Sequence, residues 1–194
     1  MRFLIPKLIG DYFIKIFFIP PLGLRVVADY ESEYQMGAIE QQIFGLSKEL
    51  ALMGHQVYII RRWKSLNEFD KIEGVNLINI NVPTSQRSFH ENLSLMRLPV
   101  VLLEHFLFLK EVRQKITEIH PDIVNLSTLL MAYLFLKLER KDCWKIFINH
   151  SHDVFLNNGF FSLAKRRMIK SVIKNAHKTI TLNKGMKQCL LNQG

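Results

Sequence analysis

Cysteine is scarce: the chain holds two, Cys143 and Cys189, far apart in the sequence. They form neither a disulfide framework nor a metal-ligand spacing, and the plain reading is two reduced thiols in a cytosolic protein. Both G-x-G-x-x-G and G-x-x-x-x-G-K-[ST] are missing, which removes the sequence basis for a dinucleotide-binding dehydrogenase or a P-loop NTPase. Long hydrophobic runs are missing too. The longest, Leu98 to Leu109, contains Glu104 and His105 and is too short to span a bilayer. The opening MRFLIPKLIGD is interrupted by Lys7 and Asp11 and lacks a small-residue cleavage pattern, so it does not read as a signal peptide. There is no internal repeat, low-complexity segment or interdomain linker. The 194 residues therefore read as one well-buried domain, with residues 1–11 as an N-terminal extension.

Acidic charge is in deficit. Asp and Glu number 17 against 26 Lys and Arg, a formal net charge of +9. Such an excess fits an anionic partner, whether nucleic acid, a membrane surface or a phosphorylated substrate; it also fits lysines scattered over a soluble surface.

What is present is alternation of strand-like and helix-like segments. Tyr12 to Ile19 is strand-like and closed by Pro20 and Pro21. A long loop to Met36, carrying Arg25, Asp29, Glu31 and Glu33, reads as a functional lid or a surface insertion. From Gly37, apolar residues at Ile39, Ile43, Leu46, Leu50 and Met53 mark one stripe of a helix of about four turns. Gly54 follows, suited to the left-handed conformation that ends a helix, and Val57 to Ile60 reads as a buried strand. The basic cluster Arg61, Arg62, Trp63 and Lys64 reads as a solvated strand end, with phosphate contact as the alternative. Val75 to Ile80 is a third strand and Asn81 to Leu95 a loop.

Leu98 to Ile119 reads as a helix packed across a sheet rather than inserted in a membrane, ended by His120-Pro121. Ile123 to Leu126 is a strand, Leu129 to Leu138 a helix, and Trp144 to Ile148 a fifth strand. Phe160 to Ala176 is an amphipathic helix with Lys165, Arg166, Arg167, Lys170 and Lys174 opposite Leu163, Met168, Ile169, Val172 and Ile173. Thr179 to Leu182 is a sixth strand, and Asn183 can cap a last helix, Lys184 to Leu191. Strands alternating with helices predict an α/β fold: a doubly wound, parallel, Rossmann-like sheet of about six strands with right-handed crossovers.

Two groups carry candidate chemistry. Gly37 at a helix start permits close approach of a ligand to free backbone N–H groups, which favour anions; a plain helix start is the structural alternative. His150 and His152, with Asp153, follow the fifth strand. Alternate residues of an extended segment share a side, so both imidazoles can face one pocket, although loop histidines are often incidental. No third or fourth ligand is spaced nearby, so no metal site is predicted.

The order of these signals resembles a known family. Gly37, Ile39 and Glu40, a helix, then Gly54, His55 and Val57 are similar to the opening of retaining GT-B glycosyltransferases of the large "group 1" (family 4-like) class. There a strand ending in prolines leads into Gly-Gly-x-Glu, a helix and Gly-His-x-Val; here Ala38 stands for the second glycine. Pro121-Asp122-Ile123-Val124 matches the family's fourth-strand opening, but Asn125 and Ser127 stand where many members have histidines. Ala176 to Asn183 is similar to the family's Ala-Asp-x-Val-Ile-x-x-Ser, with His177 for the Asp and Asn183 for the Ser.

The resemblance runs from about Phe13 to Gly194 and implies the N-terminal, acceptor-side half of a GT-B enzyme, with the C-terminal donor-binding domain absent. It implies sugar transfer from a nucleotide-sugar to a sugar or lipid-linked acceptor, without metal or resident cofactor. It makes His152 and Asp153 the catalytic candidates, and Gly37, Ala38, Glu40, His150 and Asn183 the donor- or acceptor-binding ones. Expected partners are the missing C-terminal domain, or a partner chain supplying it, and an anionic membrane surface, with no nucleic acid. The expected location is cytoplasmic, peripheral at the inner membrane face. The rival reading is a non-catalytic scaffold module of the same fold.

Overall fold

The apolar runs assemble into one sheet in the computed structural model, which describes residues 13–20, 38–62, 69–81, 98–138, 143–149, 162–181 and 184–191. Among them are seven strands and five helices, in the order β1 (Lys15–Ile19), α1 (Ala38–Leu52), β2 (Gln56–Arg62), β3 (Phe69–Ile72), β4 (Val75–Ile80), α2 (Leu98–Ile119), β5 (Ile123–Leu126), α3 (Leu129–Leu138), β6 (Trp144–Asn149), α4 (Ser162–Asn175), β7 (Lys178–Thr181) and α5 (Lys184–Leu191). The strands lie in the order β3-β4-β2-β1-β5-β6-β7. Every neighbouring pair is parallel except β3 with β4.

That antiparallel edge strand departs from the six-strand reading. Gly74, directly before the Val75–Ile80 strand, is the second residue of a tight hairpin turn. Ile72 pairs with Val75, leaving Glu73 (φ 50°) and Gly74 (φ 85°) as a two-residue turn with both residues left-handed. This is the turn whose twist suits a hairpin, and a non-glycine at its first position is tolerated at some cost. Lys48 of α1 reaches the Glu73 carboxylate at 2.7 Å.

Strand alternation splits the core between two faces. Phe17, Ile19, Ile60, Ile78, Val124, Leu126 and Phe147 point to the face covered by α2, α3 and α4. Ile16, Phe18, Val57, Ile59, Val75 and Leu77 point to the face covered by α1. The buried stripe of α1 is rotated from the expected one. Ile43, Phe44 and Ser47 are buried and Ile39, Leu50 and Ala51 partly so, whereas Leu46 and Met53 are 44% and 68% exposed. Burying Phe44 covers more apolar area than burying Leu46, and Ser47 is small enough to face the sheet. Gly54 (φ 90°) ends α1 as expected. Its N–H donates to Ala51 at 3.0 Å and that of His55 to Leu50 at 3.1 Å, a two-bond cap, and Gln56 N–H then donates to Ile14 at 3.0 Å to open β2. Gly-His-x-Val is thus a helix stop joined to a strand start.

The Pro-Asp and Ala-His signatures turn out to do the same job. Asp122 N–H donates to the Lys15 carbonyl at 2.9 Å, while Lys15 N–H donates to Asp122 Oδ2 at 2.7 Å. Likewise His177 N–H donates to the Lys145 carbonyl at 2.9 Å, and Lys145 N–H donates to His177 Nδ1 at 3.0 Å. Each residue clamps the start of the neighbouring strand with two reciprocal bonds. Histidine can replace aspartate because the clamp needs one acceptor atom, which Nδ1 supplies when the proton sits on Nε2. Trp144 stacks on the His177 ring at 5.5 Å between centroids.

The helix at Leu98–Ile119 packs on the sheet through Phe108, Leu109, Val112 and Ile116, and no helix among the described residues is long and apolar enough to cross a membrane. On α2 the ammonium of Lys115 lies 2.8 Å from Glu118 and, with a bond from Gln114, holds that carboxyl below its ordinary pKa.

Candidate functional site at the carboxyl edge of the sheet

All strands but β3 run the same way, so β1, β2, β4, β5, β6 and β7 end on one edge. The chain leaves β1 for β2 on one side, and β5 lies against β1 on the other. The direction of winding reverses between β1 and β5, and open α/β sheets bind their ligands in the crevice outside such a reversal. Helix α1 follows β1 in the chain and runs back into β2, so its N-terminus lies at this same edge. The first-turn N–H groups of a helix have no intrahelical acceptor and favour a negatively charged or oxygen-rich ligand at such an edge.

Of the residues expected at the site, Ala38 is the first residue of α1 and Glu40 lies in its first turn. Gly37 precedes Ala38 in the chain and lies outside the described residues, as do His150, His152, Asp153 and Asn183. Their flanking elements are described. β6 ends at Asn149, directly before His150, and β7 ends at Thr181, two positions before Asn183; Asn149 and Thr181 are paired in register. The structure therefore brings the stems of the histidine segment and of the Asn183 segment together on the carboxyl edge.

Two residues that sequence reasoning named only as departures belong to this edge. Asn125 and Ser127, on β5 and just past it, are 5% and 4% exposed. Ser127 N–H donates to the Ile19 carbonyl at 3.4 Å, tying the end of β5 to the end of β1 at the reversal. Its hydroxyl donates to Asn125 Oδ1 at 3.5 Å. Asn125 pairs in register with Phe18, and Ile123 two residues before it packs on the α1-side cluster, so the carboxamide projects on the α1 face. The signal was available in the sequence: a polar residue in the middle of IVNL, an otherwise apolar parallel strand.

A second polar group joins β2, β3 and β4. Arg61, 6% exposed, donates from Nε to Asn79 Oδ1 at 2.5 Å and from Nη2 to Asp70 Oδ2, while Asn79 Nδ2 donates to the same Asp70 oxygen at 2.9 Å. Arg61 is thus neither a solvated strand end nor a free phosphate ligand. The basic cluster of the sequence reading is divided: Arg61 is buried in an ion pair, and Trp63 and Lys64 lie outside the described residues.

Comparison with known proteins agrees with this geometry. Two structures of sucrose-phosphate synthase from Thermosynechococcus elongatus superpose on the chain. One has a TM-score of 0.66 and 14% identity, covering 92% of this chain and 45% of that chain. The other has a TM-score of 0.63 and 13% identity, covering 91% and 80%. At that identity the likeness is one of fold, and the chain spans less than half the length of the first. No curated protein matches the chain. The fold is that of the N-terminal, Rossmann-like domain of GT-B glycosyltransferases. The model of Glycosyltransferase Family 4 matches residues 39–194, and the chain belongs to that family.

Proposed function

We propose that the chain is the acceptor-side domain of a retaining, metal-independent glycosyltransferase that moves a sugar from a nucleotide-sugar to a sugar or lipid-linked acceptor. The observation that carries this reading is family membership over residues 39–194, a span that contains α1 from its second residue and every strand after β1. In this reading Gly37 and Ala38 lie near the donor phosphates or the reacting centre, Glu40 supports the turn, and His152 contacts the sugar or a reacting hydroxyl. His150, Asp153 and Asn183 line the same crevice. Preorganised N–H dipoles and cationic groups stabilise the leaving diphosphate without a metal. A second, donor-binding domain, from the same polypeptide or a partner chain, closes the cleft. The test is transfer from a panel of radiolabelled nucleotide-sugars by the chain alone and by the chain joined to such a domain, with and without EDTA. Expected are no transfer by the isolated chain, and EDTA-resistant transfer with retained anomeric configuration by the two-domain protein. Robust turnover by the isolated chain would overturn the split of labour.

A second reading, docking on an anionic membrane at the cytoplasmic face, is favoured by one feature of α4. Arg166, Arg167, Lys170 and Lys174 are exposed while Ile169 and Val172 are buried against the sheet, so the basic face is left uncovered. Each such residue contributes on the order of 1 kcal/mol beside an anionic surface. Co-sedimentation with phosphatidylserine-containing vesicles should therefore be salt-sensitive and lost in Arg166→Glu/Lys170→Glu/Lys174→Glu. Lys165, half-buried, is left in place. Binding unaffected by salt and charge reversal would leave α4 as scaffold.

A further inference from the structure

We propose that Asn125 is a specificity-determining residue whose carboxamide N–H groups donate to a hydroxyl oxygen of a sugar bound at the β1–β5 reversal, with Ser127 as its positioning residue. The assignment of a sugar rests on the glycosyltransferase reading; the assignment of a donor site does not.

Three observations converge on it. Asn125 is buried, 5% exposed, in a strand whose neighbours Val124 and Leu126 are fully buried in the core. Its Oδ1 accepts from Ser127 Oγ at 3.5 Å, which leaves Nδ2 as the free end of the amide, and among the described residues Nδ2 has no hydrogen-bond partner. Nδ2 is also not among the atoms sealed from the surface, since the one such orphan found there is Ser47 Oγ. Leucine or valine here would add apolar burial to the strand, whereas the amide keeps a polar corner, Nδ2, open at the carboxyl edge, where its partner comes from outside the protein. The amide is therefore explained by an oxygen that arrives from outside.

Its place narrows the ligand. The Asn125 amide lies on the α1 face at the carboxyl end of β5, where Ser127 N–H binds the last carbonyl of β1. A primary amide there offers two neutral donors and no charge, which suits a hydroxyl, a neutral acceptor and donor, better than an anion. The neighbouring α1 N-terminus serves the anionic portion of a ligand, so sugar and phosphate are sorted along one crevice. A site built to bond a hydroxyl also rejects the analogue lacking it, because the buried amide is then left unpaired.

The experiment is an NMR titration of the ¹⁵N-labelled chain with methyl glycosides of glucose, galactose, mannose and N-acetylglucosamine, following the side-chain amide peaks of Asn125. They are assigned by their loss in Asn125→Leu. The Asn125 peaks should move with at least one glycoside while those of Asn76 stay still. Asn125→Leu should fold with an undiminished melting temperature and bind that glycoside about tenfold more weakly, the size of one well-made neutral hydrogen bond. Ser127→Ala should weaken it less. Peaks unmoved by all four glycosides, or affinity unchanged in Asn125→Leu, would overturn the proposal and leave water as the partner of Nδ2. If the glycoside shifts appear but the two-domain protein transfers no sugar, the enzymatic reading fails and the donor site stands. If transfer is robust and the acceptor KM is unmoved by Asn125→Leu, the reverse holds.

Discussion

Asp70→Ala should lower the free energy of unfolding by about 3 kcal/mol, far more than a surface ion pair would. The size follows from Arg61. Its side chain is 7% exposed, against 27% for that of Asp70, so removing the carboxylate takes a close counter-charge away from a buried cation. Asn79, opposite Arg61 in the β2–β4 register, stays bonded to it but carries no charge to replace the one lost. The edge strand β3 is bound to the sheet through β4 on one side only, so loosening Asp70 also loosens the hairpin. Arg61→Met in the Asp70→Ala background should recover most of the loss, since an apolar pair of similar volume has no ion to desolvate. The cycle formed by the two single variants and the double, measured by urea denaturation, isolates the coupling. A loss below about 0.5 kcal/mol for Asp70→Ala would show that Arg61 is solvated after all.

The same triad shows where sequence reading reaches its limit. The parallel, doubly wound architecture was legible because buried strands write themselves as apolar runs, as β1, β2, β4, β5 and β6 do, while β7 was marked by its β-branched Thr-Ile-Thr. β3 shows no such run. It is four residues long, carries Asp70 and Lys71, and owes its existence to pairing with β4 across a two-residue turn. With β3 unseen, Arg61 had no visible partner, because the contact to Asp70 depends on a register that only the folded sheet fixes. The stripe on α1 shows a milder version. Periodicity placed one face of the helix on the sheet, but the choice between Leu46 and Phe44 was decided by packing. Alternation alone was enough to place the carboxyl edge of the sheet and the start of α1. The candidates for the reacting groups came from resemblance, and Asn125 entered the sequence reading only as an absence of histidine.

His152→Ala in the two-domain enzyme should cut kcat about 100-fold, while His150→Ala should change it by less than about threefold. The expectation rests on where β6 delivers the chain. That strand runs parallel to β5 and β7 and ends at Asn149 on the carboxyl edge, so the residues that follow in the sequence enter at the ligand side. The family resemblance of the segment places the reactive role on His152, three positions after Asn149 and directly before Asp153. A group that contacts a reacting hydroxyl acts by taking or giving a proton near neutrality, which imidazole does and a methyl group cannot. His152→Gln separates proton transfer from simple hydrogen bonding: glutamine keeps a donor and an acceptor but does not titrate, so it should restore binding of the acceptor and not the rate. If His152 acts at the ligand edge as proposed, neither substitution should change the melting temperature appreciably, because a side chain in that role carries few core contacts. Equal and small rate effects from His150→Ala and His152→Ala would return both to ordinary loop positions. The reaction would then depend on groups of the second domain and on the N–H dipoles at the start of α1.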